Sequence, residues 1–260
     1  MDPRVALLAF GAGLVVAVVT TPVGVSGAVF LLPVQLDVLR VPSPAVTPTN
    51  LLFNVVSTPG ALLRHRSTGS LTGPLTRRLL AGTLPGVVIG TVARVHLAPG
   101  DRVFRVLAAA VLLPLGLWLC TRRRDRPPRA HPIGSRAVTA MGLAAGVVGG
   151  VYGIGGGSLL GPLLVGAGLS VATVAPAALA TTFVTSVAGV GTYGLLSLTT
   201  QGPVGPDWGV GLLCGAGGLI GGYLGARLQP RVPETALRVL LGALAVGLAV
   251  VYLVRAAHAG

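Results

Sequence analysis

The feature that most constrains this chain is a succession of apolar runs about as long as a bilayer is thick. A helix needs roughly 20 residues to cross the hydrocarbon core, and such runs fall at about 5 to 22, 45 to 63, 77 to 97, 103 to 121, 136 to 152, 172 to 197, 208 to 228 and 236 to 254. Two further segments, 24 to 36 and 153 to 168, are apolar but rich in glycine and punctuated by Pro33 and Pro162. They read as broken or re-entrant helices, with those prolines as the helix-breaking residues. The expected fold is an all-α membrane protein with about eight transmembrane helices. Composition agrees, since 52% of the 260 residues are hydrophobic and 10% charged, more apolar than a soluble core of that length requires.

The net charge of +13 comes from 19 arginines against six acids, with no lysine. In a soluble chain such a balance points to nucleic acid, but the aromatic platforms and continuous basic face of such proteins are missing, which excludes that partner. Arginines instead cluster between apolar runs, at Arg64 to Arg78 and Arg122 to Arg136, where basic loops mark the cytoplasmic side. Eight full crossings put twelve arginines on the side of the N-terminus and seven on the other, so the sequence favours both termini inside. Cys120 and Cys214 lie in or beside apolar runs without metal-like spacing, and support neither a disulfide framework nor a metal site.

The two halves repeat one another. Gly24 to Pro33 (GVSGAVFLLP) lies over Gly153 to Pro162 (GIGGGSLLGP), Phe53 over Phe183, Gly86 and Gly90 over Gly218 and Gly222, and Arg105-Val106-Leu107 over Arg238-Val239-Leu240, all in order. The expected organisation is therefore a first four-helix repeat over 1–121, a basic linker over 122–135 and a second four-helix repeat over 136–260. Duplicated halves build many secondary transporters, with the substrate site at the repeat interface near mid-membrane. Four spans per half make the repeats parallel, an odd number makes them inverted, and the sequence leaves the choice open.

Candidate site residues follow from the two motifs. Gly153, Gly155, Gly156 and Gly157 precede Ser158 and a short apolar helix, whose first N–H groups carry the positive end of the helix dipole and suit an anion. Gly24, Ser26 and Gly27 form the glycine-poorer copy. Behind the motifs come polar spans: Asn50, Asn54 and Ser57 in the first half, Thr181, Thr182, Thr185 and Ser186 in the second. Helical spacing puts Asn50, Asn54 and Ser57 on one face, and Thr182, Thr185 and Ser186 on another. Neutral donors on facing helices replace the hydration of a small oxyanion without a buried charge; the competing role is hydrogen bonding to a carbonyl one turn back or to a neighbouring helix. Acids and histidines fall in loops, span ends or termini, so the spans show no proton relay, catalytic group or metal cluster. No cofactor is expected.

The paired glycine motifs ending in proline, with serine- and threonine-bearing spans behind them, resemble the sulfite exporter TauE/SafE family, and the resemblance covers nearly the whole chain. It implies a permease of the bacterial cytoplasmic membrane that exports or takes up sulfite, a sulfonate or another organosulfur or carboxylate anion, and it implies no enzyme activity. The expected partners are a small anion and the lipid bilayer; a homo-oligomer is compatible with the sequence. An anion channel, a non-transporting membrane scaffold subunit and a membrane-embedded enzyme are the competing readings, the last lacking a nucleophile, base or metal cluster in the spans.

Overall fold

The computed structural model describes residues 2–66, 71–97, 134–167, 169, 171–200 and 204–258, together with ten helical residues between Val106 and Thr121. Among them are helices and turns and no strand. Nine helices are taken here as α1 (Pro3–Thr20), α2 (Ala28–Pro33), α3 (Ser43–His65), α4 (Pro74–Leu97), α5 (Ser135–Tyr152), α6 (Gly156–Gly166), α7 (Val171–Ser197), α8 (Trp208–Leu228) and α9 (Glu234–His258). Four described stretches, Pro3–Val23, Pro74–Leu97, Val171–Ser197 and Trp208–Arg231, are long and apolar enough to cross a membrane. Large apolar side chains such as Leu7, Ile89, Leu195 and Leu253 stand exposed, which in this fold is surface for lipid. Of the expected linker, 122–133 lies outside the described residues.

Helix ends follow local chemistry. Asp2 caps α1, its carboxylate accepting from Arg4 N at 2.9 Å, with Pro3 at the first helical position, and Asp207 caps α8 by accepting from Val210 N at 3.0 Å; both satisfy orphan first-turn donors. Gly24 (φ 75°) and Gly153 (φ 70°) take the left-handed conformation in the turns that follow α1 and α5. That conformation suits a residue without a Cβ.

The chain turns at these glycines and not at the prolines. Pro33 ends α2, and the chain continues helically as a π turn, Val34–Val38, closed by Leu39 N donating to Val34 O at 2.9 Å. Helix α6 runs through Pro162. Of the two prolines expected to break helices, Pro33 stands where α2 passes into the π turn, and Pro162 lies within α6 without ending it. A proline forfeits one intrahelical hydrogen bond and bends the axis, whereas the left-handed glycines turn the backbone away from the helical path.

Glycine also sets the packing. A Cβ on Gly217 would collide with Phe10 O, one on Gly221 with Leu14 O, and one on Gly225 would approach Val18 O; α1 and α8 therefore run parallel with their backbones nearly touching. The pairs Gly211 with Leu52, Gly215 with Val56 and Gly60 with Leu219 make α3 parallel to α8 as well. Likewise Gly82 meets Thr139, Gly86 meets Leu143 and Gly90 meets Val147, so α4 and α5 are parallel. Gly24 lies against Ala175, near the start of α7, and Gly153 against Thr47, near the start of α3. Hence α1, α3 and α8 run one way and α4, α5 and α7 the other. The helices α1 and α3 were expected as consecutive, opposed crossings; they are parallel, and α2 with its π turn carries the chain back between them.

Among the described residues the most extensive helix pairs, α4 with α5, α3 with α8 and α1 with α8, all join one expected half to the other. One end of the bundle carries Arg64, Arg66, Arg77, Arg78, Arg136, Arg227 and Arg231; the other carries Arg4, Arg40 and Arg255, with the start of α1 and the end of α9. At the terminal end Arg255 pairs with Asp37 of the π turn, fastening α9 to the first broken segment.

Candidate functional site

The two glycine turns meet inside the bundle. Ser26 N donates to Ser158 Oγ at 3.3 Å, and Ser158 Oγ donates to Ile154 O at 2.8 Å. Because that bond uses the only proton of Ser158, Thr182 Oγ1, 3.4 Å away, donates to it. Ser26 Oγ donates to Asn54 Oδ1 and accepts from Ala28 N at 3.1 Å. Asn54 Nδ2 reaches across to Gly153 O at 3.4 Å, and Asn50 Nδ2 donates to Ala28 O at 2.8 Å. Each broken segment is thus held by a polar side chain from the other half. Ser26, Asn50, Asn54, Ser158, Thr182, Thr185 and Ser186 are all buried, and all are neutral.

Gly155 caps α6 with φ 70° and offers no side-chain oxygen to the orphan donors of the first turn. Gly156 N instead donates to Thr185 Oγ1 at 3.3 Å, and that hydroxyl donates back to Thr181 O at 2.8 Å. Beside it, Ser186 Oγ is wholly buried with no hydrogen-bond partner, and it faces Gly155, whose Cβ position lies 3.0 Å away. The Asn50 Oδ1 is a second buried atom without a partner. Such orphans are rare in folded proteins, because desolvation without a hydrogen bond costs free energy.

Not every expected site residue joins this cluster. Ser57 faces α8, packed on Gly218, so it shares a helix with Asn50 and Asn54 without sharing their surroundings. Thr181 spends its hydroxyl on Ala177 O at 2.8 Å. Gly27 packs on Val16 and Phe53, Gly156 on Thr83, and Gly157 on Ala178 and Thr182; the close approach these glycines permit is between helices.

Other buried polar residues lie outside the expected site set. Gln35, on the π turn, is fully buried with both amide atoms unpartnered. Thr49 Oγ1 accepts from Asp207 N at 2.8 Å, tying the α8 cap to α3. Arg94, inside the apolar run at 77 to 97, is buried near the end of α4 and donates through Nη2 to Ser43 O at 3.1 Å and Ser43 Oγ at 2.8 Å. The signal for Arg94 was present in the apolar neighbours on both sides of it in TVARVHL.

A cavity of about 320 Å³ opens at the arginine-rich end, lined by Pro22, Val23, Arg64, His65, Val171 and Ala226 among others. Gly24, next in the chain to Val23 of that lining, packs on Ala175. A larger groove of about 570 Å³, lined by Pro114, Trp118, Met141, Leu159 and Leu163 among others, is apolar.

Bilayer-length apolar helices, interrupted inside the bundle by two glycine turns with a shared polar lining, define a multi-pass membrane protein of the transporter kind. The chain belongs to the sulfite exporter TauE/SafE family, whose model matches residues 9–252. That family is one of membrane sulfite and anion exporters. No curated protein matches the sequence.

Proposed function

We propose that the protein is a secondary transporter that carries sulfite, a sulfonate or a related organosulfur or carboxylate anion across the bacterial cytoplasmic membrane, and that the anion is held where the two glycine turns meet. The observation that carries the location is the unpartnered Ser186 hydroxyl facing the Gly155 turn at the N-terminus of α6. An anion there would accept a hydrogen bond from the Ser186 hydroxyl and gain the favourable end of the α6 dipole. Gly153 and Gly155 shape the backbone of this site; Ser158, Thr182 and Thr185 supply hydroxyls, and Ser26 and Asn54 brace it from the first half. Gly156 N, now bonded to Thr185, becomes available when that threonine turns to the ligand. Non-helical backbone is tolerated at membrane depth only where protein buries it or water reaches it, as a binding site requires.

The packing supports two inverted repeats better than two parallel ones. Superimposing the halves sends α1 to α5, α3 to α7 and α4 to α8, and therefore sends the triplet α1, α3 and α8 onto α5, α7 and α4, which runs the opposite way. On this reading each half crosses five times, counting its broken segment, in place of the eight crossings expected from span length. The arginine-rich end is then cytoplasmic and both termini are external, the reverse of the orientation the sequence favoured. The cavity beside Arg64 is the cytoplasmic vestibule.

The test is tracer flux from proteoliposomes loaded in turn with sulfite, sulfoacetate, thiosulfate and acetate. Saturable flux with counterflow for at least one sulfur oxyanion is the expected result. Flux that rises linearly with concentration would make the protein a channel, and no flux for any anion would favour a scaffold subunit.

A further inference from the structure

The central cluster is neutral, and an anion leaving water for it gives up a large hydration energy. A fixed positive charge along the route offsets that loss, and the bundle holds one. Arg94 is 6% exposed, stands near the terminal end of α4, and lies within electrostatic reach of the buried Tyr152 and Tyr193. Three helices connect it to the centre by one face each. On α3, Ser43 touches Arg94 while Asn54, eleven residues further, touches the turn at Gly153. On α4, Thr83 lies against Gly156, and Arg94 follows eleven residues later. On α7, Thr182 meets Ser158 and Tyr193, also eleven residues on, reaches Gly150 O at 3.4 Å. Eleven residues make three helical turns, so each pair shares a face and spans about 16 Å, roughly half the hydrocarbon thickness.

A second observation marks the same stretch. Thr91, one turn before Arg94, is fully buried, and its hydroxyl has no partner. A helical threonine ordinarily bonds the carbonyl one turn back, as Thr83 does to Leu79 O at 2.8 Å. Between Thr91 and the centre, Leu51 and Val87 close on Gly189 and separate the two polar regions.

We infer that Arg94, with the Thr91 hydroxyl beside it, is an anion-binding station on the terminal side of the transport route, one half-membrane from the central site and separated from it by the layer at Leu51, Val87 and Gly189. Its ligand is a small oxyanion, engaged by the guanidinium fork now bonded to Ser43. This inference rests on the transport reading given above.

The experiment measures sulfite flux into proteoliposomes holding the full chain as wild type, Arg94→Gln, Arg94→Lys, Thr91→Val or Ser43→Ala, with thermal unfolding in detergent recorded for each. Loss of a charge-assisted hydrogen bond predicts that Arg94→Gln raises KM about 10- to 100-fold. Arg94→Lys recovers most of it, Thr91→Val raises KM several-fold at unchanged unfolding temperature, and Ser43→Ala leaves KM within about twofold. A guanidinium that only ties α4 to α3 makes Ser43→Ala as harmful as Arg94→Gln, and that result overturns the inference. So does an unchanged KM in Thr91→Val and Arg94→Gln. Should Arg94→Gln fail to fold, Arg94→Lys and Thr91→Val decide. Wild type without saturable flux fails the transport reading itself, whereas saturable wild-type flux with unaffected variants fails only the station.

Discussion

Thr185 and Ser186 are neighbours on α7 with opposite consequences for stability. Thr185 satisfies a buried backbone donor, Gly156 N, so Thr185→Val leaves that group orphaned and is expected to cost about 1–3 kcal/mol. Ser186 satisfies nothing within the protein. Ser186→Ala is expected to leave stability within about 0.5 kcal/mol of wild type, or to raise it, since it deletes an unpaired buried hydroxyl. Thermal unfolding of the two variants in detergent checks the contrast; equal destabilisation would mean that Ser186 also braces the fold. The sequence shows these hydroxyls on one helical face, but not which are already spent. Thr181 and Ser186 look alike in sequence, and their difference depends on Ala177 O being one turn behind the first while the second points at a glycine turn from another element.

Among elements, the glycine contacts carry the most specific expectation. Gly217 on α8 meets the Phe10 carbonyl of α1, backbone against backbone, with no flexible side chain to give way. Gly217→Leu is expected to abolish monodisperse folded protein in size-exclusion chromatography, whereas Gly191→Leu, on the open side of α7 with nothing within 4 Å, leaves the profile unchanged. The exposed Arg255 and its pairing with Asp37 predict a smaller effect: Arg255→Asp destabilises by less than about 1 kcal/mol, and adding Asp37→Arg restores the loss. The glycine-rich segments were legible as irregular elements from composition. Their direction was not, because α2 has six residues and its π turn five. A rule of roughly 20 residues per crossing passes over so short a return path. Pro162 misled for a related reason, since proline weakens a helix whereas the glycine conformation that turns the chain shows only in φ.

For the whole molecule, class and family were legible in the sequence, because bilayer-length apolar runs and the two glycine motifs require no tertiary knowledge. Orientation was not, since it depends on whether the short broken segments return the chain across the bundle, and every arginine after such a segment changes sides with that answer. The parallel α1 and α3 predict that tags at the N- and C-termini are both cleaved by protease added outside intact cells, while a tag inserted between Arg66 and Pro74 is protected. Protection of both termini together with that loop would restore the eight-crossing arrangement. Arg94 shows the same limit: the sequence puts a charge near the end of an apolar run but not whether it is buried, which depends on the packing around it.

The central claim is that an anion passes through the site where the two glycine turns meet, and one comparison tests it most directly. Initial rates of sulfite uptake into proteoliposomes are measured for wild type, Ser186→Ala and Thr182→Val, each with wild-type thermal stability. The account predicts saturable wild-type uptake and a KM raised about tenfold in each variant, as loss of one hydrogen bond to a charged ligand requires. Saturable uptake with the same KM in all three proteins would contradict it, and would leave the glycine turns as packing devices around a route that runs elsewhere.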